Sequence, residues 1–495
     1  MKTLKTDVVI LGAGNAALCA ALSARENNAQ VIVLERAPFE ERGGNSAFTA
    51  GAFRFAYDTV EELYEVVDDL SDKEKATTDF GTYSIGDFFD DMGRVTEYRT
   101  DPDLAELLIR NSRDTLLWMK RAGIRFQPSY GRQAFKLNDK FRFWGGLSIE
   151  AWGGGPGLVE GLHGAAQKAG VQVLYGTRAI DLIREDNLVV GVSGVSGGQP
   201  IEVRAKSVIL ASGGFEANGE WRARYLGPGW DLAKVRGTRF NTGDAIRMAL
   251  DAGAMSHGHW SGCHSVSWDR NAPEFGDLAV GDGFQKHSYP FGLMINAPGF
   301  RFVDEGADFR NYTYAKYGGV VLSQPGQFAW QIFDAKVTHL LRDEYRIRQV
   351  TKFKADTLEE LATRMEDIDK EQFLDTITRF NQAVRTDVPF DPTVKDGRSA
   401  QGLDIPKSNW ANRIDEPPFE AYAVTCGVTF TFGGLKITSD GQVLDTEDAP
   451  MPGLFAAGEL VGGLFFVNYP GGTGLTSGSV FGRIAGRSAA IAVAG

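Results

Sequence analysis

At 495 residues, 43% hydrophobic and 23% charged, the chain has the composition of a globular protein, and it is too long for one ordinary core, so two or more domains are expected. Its 52 Lys plus Arg against 64 Asp plus Glu leave a net charge of −12, which argues against a nucleic-acid or anionic-membrane partner but permits a local basic pocket. Cys19, Cys263 and Cys426 are scattered, which fits a reducing compartment and excludes an iron–sulfur run; no apolar stretch reaches membrane-spanning length, so a cytoplasmic location is expected.

The first element is a β-branched run at 6–11, followed by an apolar-spaced helix over 16–27 and a second strand at 30–34 that ends on Glu35. Gly12-x-Gly14-x-x-Ala17 joins the strand to the helix. In that context Gly12 and Gly14 let backbone approach a pyrophosphate, and Asn15, Ala16 and Ala17 open a helix whose N–H groups face an anion. Glu35, next to Arg36, can accept from a ribose hydroxyl. The loop 41–51, with Gly43, Gly44, Asn45, Ser46, Ala50 and Gly51, is small enough in its side chains to lie against a flat ligand. A helix over 101–122 carries Leu104, Leu107, Leu108, Leu117 and Trp118 toward a core.

A Gly-rich turn at 153–157 opens a helix over 158–169, and 171–174 is a strand. Residues 188–192 and 201–203 read as a hairpin, and a strand at 207–210 runs into Ala211-Ser212-Gly213. Glycines between 191 and 198 precede strand residues rather than a helix, so a second dinucleotide site for NAD(P)H is rejected. Thr242-Gly-Asp244 opens a helix that ends near Gly253. Residues 255–415 then change texture, with aromatics, histidines, irregular loops and an amphipathic helix over 370–385 that turns Phe373, Leu374, Ile377 and Phe380 inward.

From 416 the chain returns to strands and turns, with Ala457-Gly458-Glu459, then Asn468-Tyr469-Pro-Gly-Gly-Thr-Gly474-Leu475 and a closing helix over 478–492. A glycine turn at one end and an Ala-Gly-Glu turn at the other point to FAD enclosed from both sides. The expected fold is α/β: a Rossmann-like FAD-binding domain built from 1–254 and 416–495, with an inserted α+β capping domain at 255–415.

Gly12-x-Gly14-x-x-Ala17, Arg42-Gly-Gly-Asn-Ser46, Ala211-Ser-Gly-Gly-Phe215, Thr242-Gly-Asp244, Gly299-x-Arg301-Phe-x-x-Glu305 and Ala456-Ala-Gly-Glu459 together resemble the fumarate reductase/succinate dehydrogenase flavoprotein superfamily. Trp260-Ser-Gly-Cys-His264, the segment Asp304–Tyr314 and Asn468-Tyr-Pro-Gly-Gly-Thr-Gly474 look like the FAD-dependent tricarballylate dehydrogenases within it. That resemblance implies oxidation of tricarballylate to cis-aconitate, with electrons passed to a separate, membrane-bound redox protein.

The departures are informative too. Asn45 stands where succinate dehydrogenases carry a flavin-linked histidine, which implies non-covalent FAD. Phe430 stands where fumarate reductases place a carboxylate-binding His, and Tyr469 where they place a carboxylate-clamping Arg. Tyr469-Pro-Gly-Gly instead resembles the 3-ketosteroid Δ1-dehydrogenases.

Dehydrogenating a saturated C–C bond requires a hydride acceptor, a base and donors that stabilise charge beside the carboxylates. The resemblance makes Arg310 the first choice for the proton and His264 a carboxylate ligand. A guanidinium is nevertheless an awkward base because it stays protonated. Tyr312, Tyr314 and His287 are the reserves, and Tyr469 belongs in the pocket. The competing role for Arg310 is a salt bridge to Asp304 or Asp308. His257-x-His259 and Cys263-His264 match no standard zinc spacing, so no metal is expected.

Overall fold

A computed structural model describes residues 2–144 and 146–494. Strand β1 (Lys2–Leu11) leads through Gly12 into helix α1 (Asn15–Glu26) and strand β2 (Val31–Leu34). All four residues of β2 are buried, the pattern of a parallel strand covered on both faces. Next come α2 (Pro102–Arg121), α3 (Gly154–Lys168), β3 (Gln172–Leu174) and a meander of β4 (Thr177–Glu185), β5 (Leu188–Ser196) and β6 (Gln199–Leu210). The sheet runs β4-β5-β6-β1-β2-β3, with β6, β1, β2 and β3 parallel. The strands expected at 201–203 and 207–210 are one: the first half of β6 pairs with β5, and residues 208–210 pair with 454–456 from the far end of the chain.

Helix α4 (Asp244–Asp251) leads into a second sheet. Its elements are β7 (Ser256–Asp269), β8 (Leu293–Asn296), helix α5 (Tyr314–Leu322), β9 (Ala329–Phe333), β10 (Lys352–Ala355), helix α6 (Lys370–Ala383) and β11 (Phe419–Leu435). β11 is its hub. The first half lies between β9 and β10, and the second half pairs with β7. Residues 419–435, expected with the returning nucleotide segment, thus run in the second sheet. Phe373, Ile377 and Phe380 of α6 pack with Leu293, Trp330 and Ile332 into a separate core, while Leu374 is half-buried.

The chain then rejoins the first sheet through β12 (Pro450–Ala456) and closes with helix α7 (Thr473–Ala494). α7 lies directly on α1. A Cβ at Gly482 would stand 2.4 Å from the Ala16 carbonyl oxygen, and one at Gly486 would stand 2.2 Å from that of Ala20, so only glycine admits this approach. The helix begins at Thr473, before the expected Gly478, because packing on α1 outweighs the low helix propensity of Gly474 and Gly478 in its first turns. Among the described residues no helix is long and apolar enough to cross a membrane.

Candidate active site

One cavity, with about 1930 Å³ of atom-free space including its open mouth, runs from the α1 turn to the second sheet. At its nucleotide end Gly12 is left-handed, with φ +98°, and a Cβ there would lie 2.5 Å from the Ala211 carbonyl oxygen. Gly14 caps α1 without a side-chain hydrogen bond, so the first-turn N–H groups lack intrahelical acceptors; that of Asn15 donates to Ser46 Oγ at 3.1 Å. Gly474 and Leu475, in the first turn of α7, bring a second helix N-terminus to the same cavity. Asn15 Nδ2 donates to the Leu475 carbonyl at 2.8 Å, joining the two chain ends. Two converging N-termini, with no Cβ to block backbone, form a donor set that fits a pyrophosphate.

Glu35 is buried beside this turn and accepts the N–H groups of Ala13 and Ala37 at 2.8 and 2.7 Å. Burial nevertheless raises its carboxyl above the ordinary value. Arg36 pairs with Asp244 at 3.1 Å. Gly43, Gly44, Asn45, Ser46, Ala50, Ala211, Ser212, Gly213, Gly458 and Glu459 also line the cavity. Ala17 and Gly51 do not: Ala17 faces the core, and Gly51 is a spacer against the Gly154 backbone. The Asn45 amide donates to Glu216 and to the Thr429 carbonyl, both at 2.6 Å. Glu459 accepts the Thr431 N–H at 2.8 Å and neighbours Glu216, whose carboxyl is pushed well above its ordinary value by burial and then by Glu459.

At the other end, His264 from β7, His287, Arg310, Tyr314 from the start of α5, and Tyr469 from the turn before α7 converge. His264 lies between Tyr469, Tyr314 and Phe430 at ring distances of 4.8, 4.9 and 5.2 Å. Both its ring nitrogens lack partners among the described residues, and burial, with Arg236 adding to it, holds the ring far below the usual imidazole value. The phenols of Tyr314 and Tyr469 hydrogen-bond each other, and burial raises both. Tyr312 is directed elsewhere, donating to Asp91.

Arg310 does not make the salt bridge to Asp304 or Asp308. Asp308 pairs with Arg94 and Lys395, and Asp304 accepts from Ser408. The Arg310 guanidinium donates to the Arg132 carbonyl at 2.8 Å and meets His287 Nδ1 at 3.4 Å, with no carboxylate in ion-pair range among the described residues. Since arginine only donates, Nδ1 is the acceptor and the neutral ring carries its proton on Nε2, which has no described partner.

Three charged residues at this end of the cavity escaped sequence reasoning: Arg132, Arg236 and Asp282. Arg236 and Arg132 both pair with Asp282, at 2.5 and 2.7 Å. With Arg310, three guanidiniums face one carboxylate, leaving two positive charges at this end of an acidic protein. Arg132 comes from a short helix, Tyr130–Gln133, and Arg236 and Asp282 from irregular segments, and no local spacing marks them.

A family model described as an FAD binding domain (FAD_binding_2) matches residues 7–475, and the chain belongs to that family. It is 30% identical over 496 residues to "Probable fumarate reductase Ifc3" of Shewanella frigidimarina (strain NCIMB 400), covering 98% of this chain and 75% of that protein. A flavocytochrome c3 fumarate reductase in its open conformation superposes with a TM-score of 0.72 at 27% identity, over 99% of this chain and 79% of that one. A 3-ketosteroid delta1-dehydrogenase from Sterolibacterium denitrificans shares the fold, with a TM-score of 0.75 at 21% identity over 98% of this chain and 99% of that one. The chain is an FAD-dependent oxidoreductase of the fumarate reductase family.

Proposed function

We propose that this protein dehydrogenates a C–C single bond flanked by carboxylates, with tricarballylate, oxidised to cis-aconitate, as the substrate. The observation carrying this reading is the excess of positive charge at one end of the cavity, where Arg310 has no carboxylate partner among the described residues and Arg132 and Arg236 share one. A polyanion satisfies that excess, and a planar guanidinium pairs with a carboxylate in two parallel hydrogen bonds. FAD, held non-covalently along the glycine-lined half, supplies the two-electron acceptor for a hydride. Arg310 clamps one substrate carboxylate. His264 and the Nε2–H of His287 serve as donors to the others, since both His264 ring nitrogens and His287 Nε2 lack partners among the described residues.

The adjacent C–H proton leaves to the same cluster: Arg310, the first assignment, accepts it only after passing one of its own protons on, for which His287 Nδ1 is the acceptor it meets, and His287 and Tyr314 are the reserves. Electrons then pass to a separate redox protein in a cytoplasmic reaction cycle. A second reading, a Δ1-type dehydrogenation of a ring ketone, is favoured by the paired phenols of Tyr314 and Tyr469 among Phe430 and Phe465. Anaerobic titration of the flavoprotein distinguishes the two: tricarballylate is expected to bleach the flavin band, with succinate and a 3-ketosteroid as parallel arms. An unchanged spectrum with tricarballylate and bleaching by the steroid would overturn the first reading.

A further inference from the structure

Immediately before Tyr469 the backbone takes a conformation that its sequence disfavours. Val467 has φ +61°, the left-handed region that a β-branched residue avoids. The N–H of Asn468 donates to the carbonyl of Phe466, closing a three-residue ring around Val467. A positive φ inside such a ring is the rarer, strained form of the γ-turn. Burial of the valine side chain does little to offset that strain, since it is 38% exposed.

Side chains on both sides hold the turn. Val467 donates its N–H to His259 Nδ1 at 3.0 Å, and the His259 ring stacks on Phe466 with centroids 5.9 Å apart. His259 sits where a bulge interrupts the β7–β11 ladder, between His259 and Cys263. Asn468 Nδ2 donates to the Tyr312 carbonyl at 2.7 Å. Beyond the tyrosine, Arg54 Nε donates to the Gly471 carbonyl at 2.8 Å and Gly471 N–H to that of Asn311 at 2.9 Å. The one residue between these two anchorages that reaches the reacting end of the cavity is Tyr469, 5% exposed and bonded to Tyr314.

We propose that the strained turn at Val467, fastened by His259, holds the Tyr469 phenol against Tyr314 and His264, which makes His259 a positioning residue outside the cavity. The neutral ring accepts through Nδ1, so the contact specifies one tautomer. Backbone strain retained at a site, with no packing gained in return, serves to pre-organise a neighbouring group. The inference rests on the reading of Tyr469 as an active-site residue.

The test uses the FAD-loaded protein with tricarballylate and a dye acceptor. His259→Phe keeps the ring stacking and removes the acceptor, His259→Asn keeps an acceptor near the Nδ1 position, and Val467→Gly relaxes the turn. We expect kcat to fall about ten- to a hundredfold in His259→Phe and Val467→Gly, the scale of a misplacement of about 1 Å, with KM little changed. His259→Asn should remain near wild type, and Val467→Gly should unfold no earlier than wild type. Wild-type kcat in His259→Phe or Val467→Gly would overturn the proposal, as would a fall in Tm alone.

If Tyr469→Phe turns over normally, the reading of Tyr469 fails. If Tyr469→Phe is impaired while His259→Phe is not, only the present inference fails. Should tricarballylate not be turned over by the wild type, a crystal structure of Val467→Gly decides: Tyr469 displaced from Tyr314 supports the proposal, and Tyr469 in place refutes it.

Discussion

The two ends of the cavity are built by opposite means. At the nucleotide end the work falls to backbone: left-handed Gly12, the N-terminal turns of α1 and α7, and carboxyls such as Glu35 that bind amides. At the substrate end it falls to side chains from six separate stretches: Arg132, Arg236, His264, His287, Arg310 and Tyr469. The difference teaches that binding the cofactor depends on what is absent at a few positions. Handling the substrate depends on groups brought together from distant parts of the chain.

The comparison predicts that damage at one end leaves the other intact. The largest effect should come from Arg310→Ala: turnover falls by about 10³-fold, the loss of a principal charge-stabilising group, while FAD content measured by visible absorbance stays at one per chain. Loss of FAD in that variant would break the separation. Tyr469→Phe should cost about 10²-fold in kcat, again with FAD retained, as rapid-reaction kinetics of flavin reduction would report.

Gly12→Ala should do the reverse. It forces a Cβ to 2.5 Å from the Ala211 carbonyl at φ +98°, so the purified protein should lose its yellow colour on gel filtration and about 1–3 kcal/mol of stability in urea. Retention of FAD with normal stability would show that backbone approach is not what holds it.

The smallest effect concerns His163 behind the glycine turn, which contacts the Ala13 carbonyl at 3.2 Å and Tyr175 Oη at 3.0 Å. Burial lowers its pKa from 6.5 to about 4. The folded state therefore binds its proton less readily than the unfolded chain. Its contribution to stability is complete above pH 6.5 and is lost as pH falls toward about 4. His163→Phe should flatten the stability profile over that window by less than about 1.4 kcal/mol per pH unit, partial exposure reducing the effect. Parallel profiles of the two proteins would refute it.

The nucleotide end was largely legible because its determinants are local. Strand, turn and helix are contiguous, and the glycines stand where a Cβ would collide. The second sheet was not. β7 and β11 mix glycine, histidine and aromatics, so neither shows clean alternation, and their pairing joins residues more than 150 positions apart. Sequence alone accordingly groups 416–495 with the nucleotide segment, whereas 419–435 runs in the second sheet. Family resemblance singles out His264, Arg310 and Tyr469, and side-chain acid–base chemistry adds His287 and Tyr314 as reserves, whereas Arg132, Arg236 and Asp282 carry no motif and emerge only as mutual ion pairs.

The sequence alone determined the FAD fold and the meeting of the chain ends, because both follow from steric permission that glycine grants at fixed positions. Tertiary structure decided the charge of the substrate end, turning Tyr312 toward Asp91 and leaving Arg310 without a carboxylate among the described residues. It also decided the constrained backbone that carries Tyr469. Such features are sums over partners from distant segments, and a charge is neutralised or left free only by what folding places beside it.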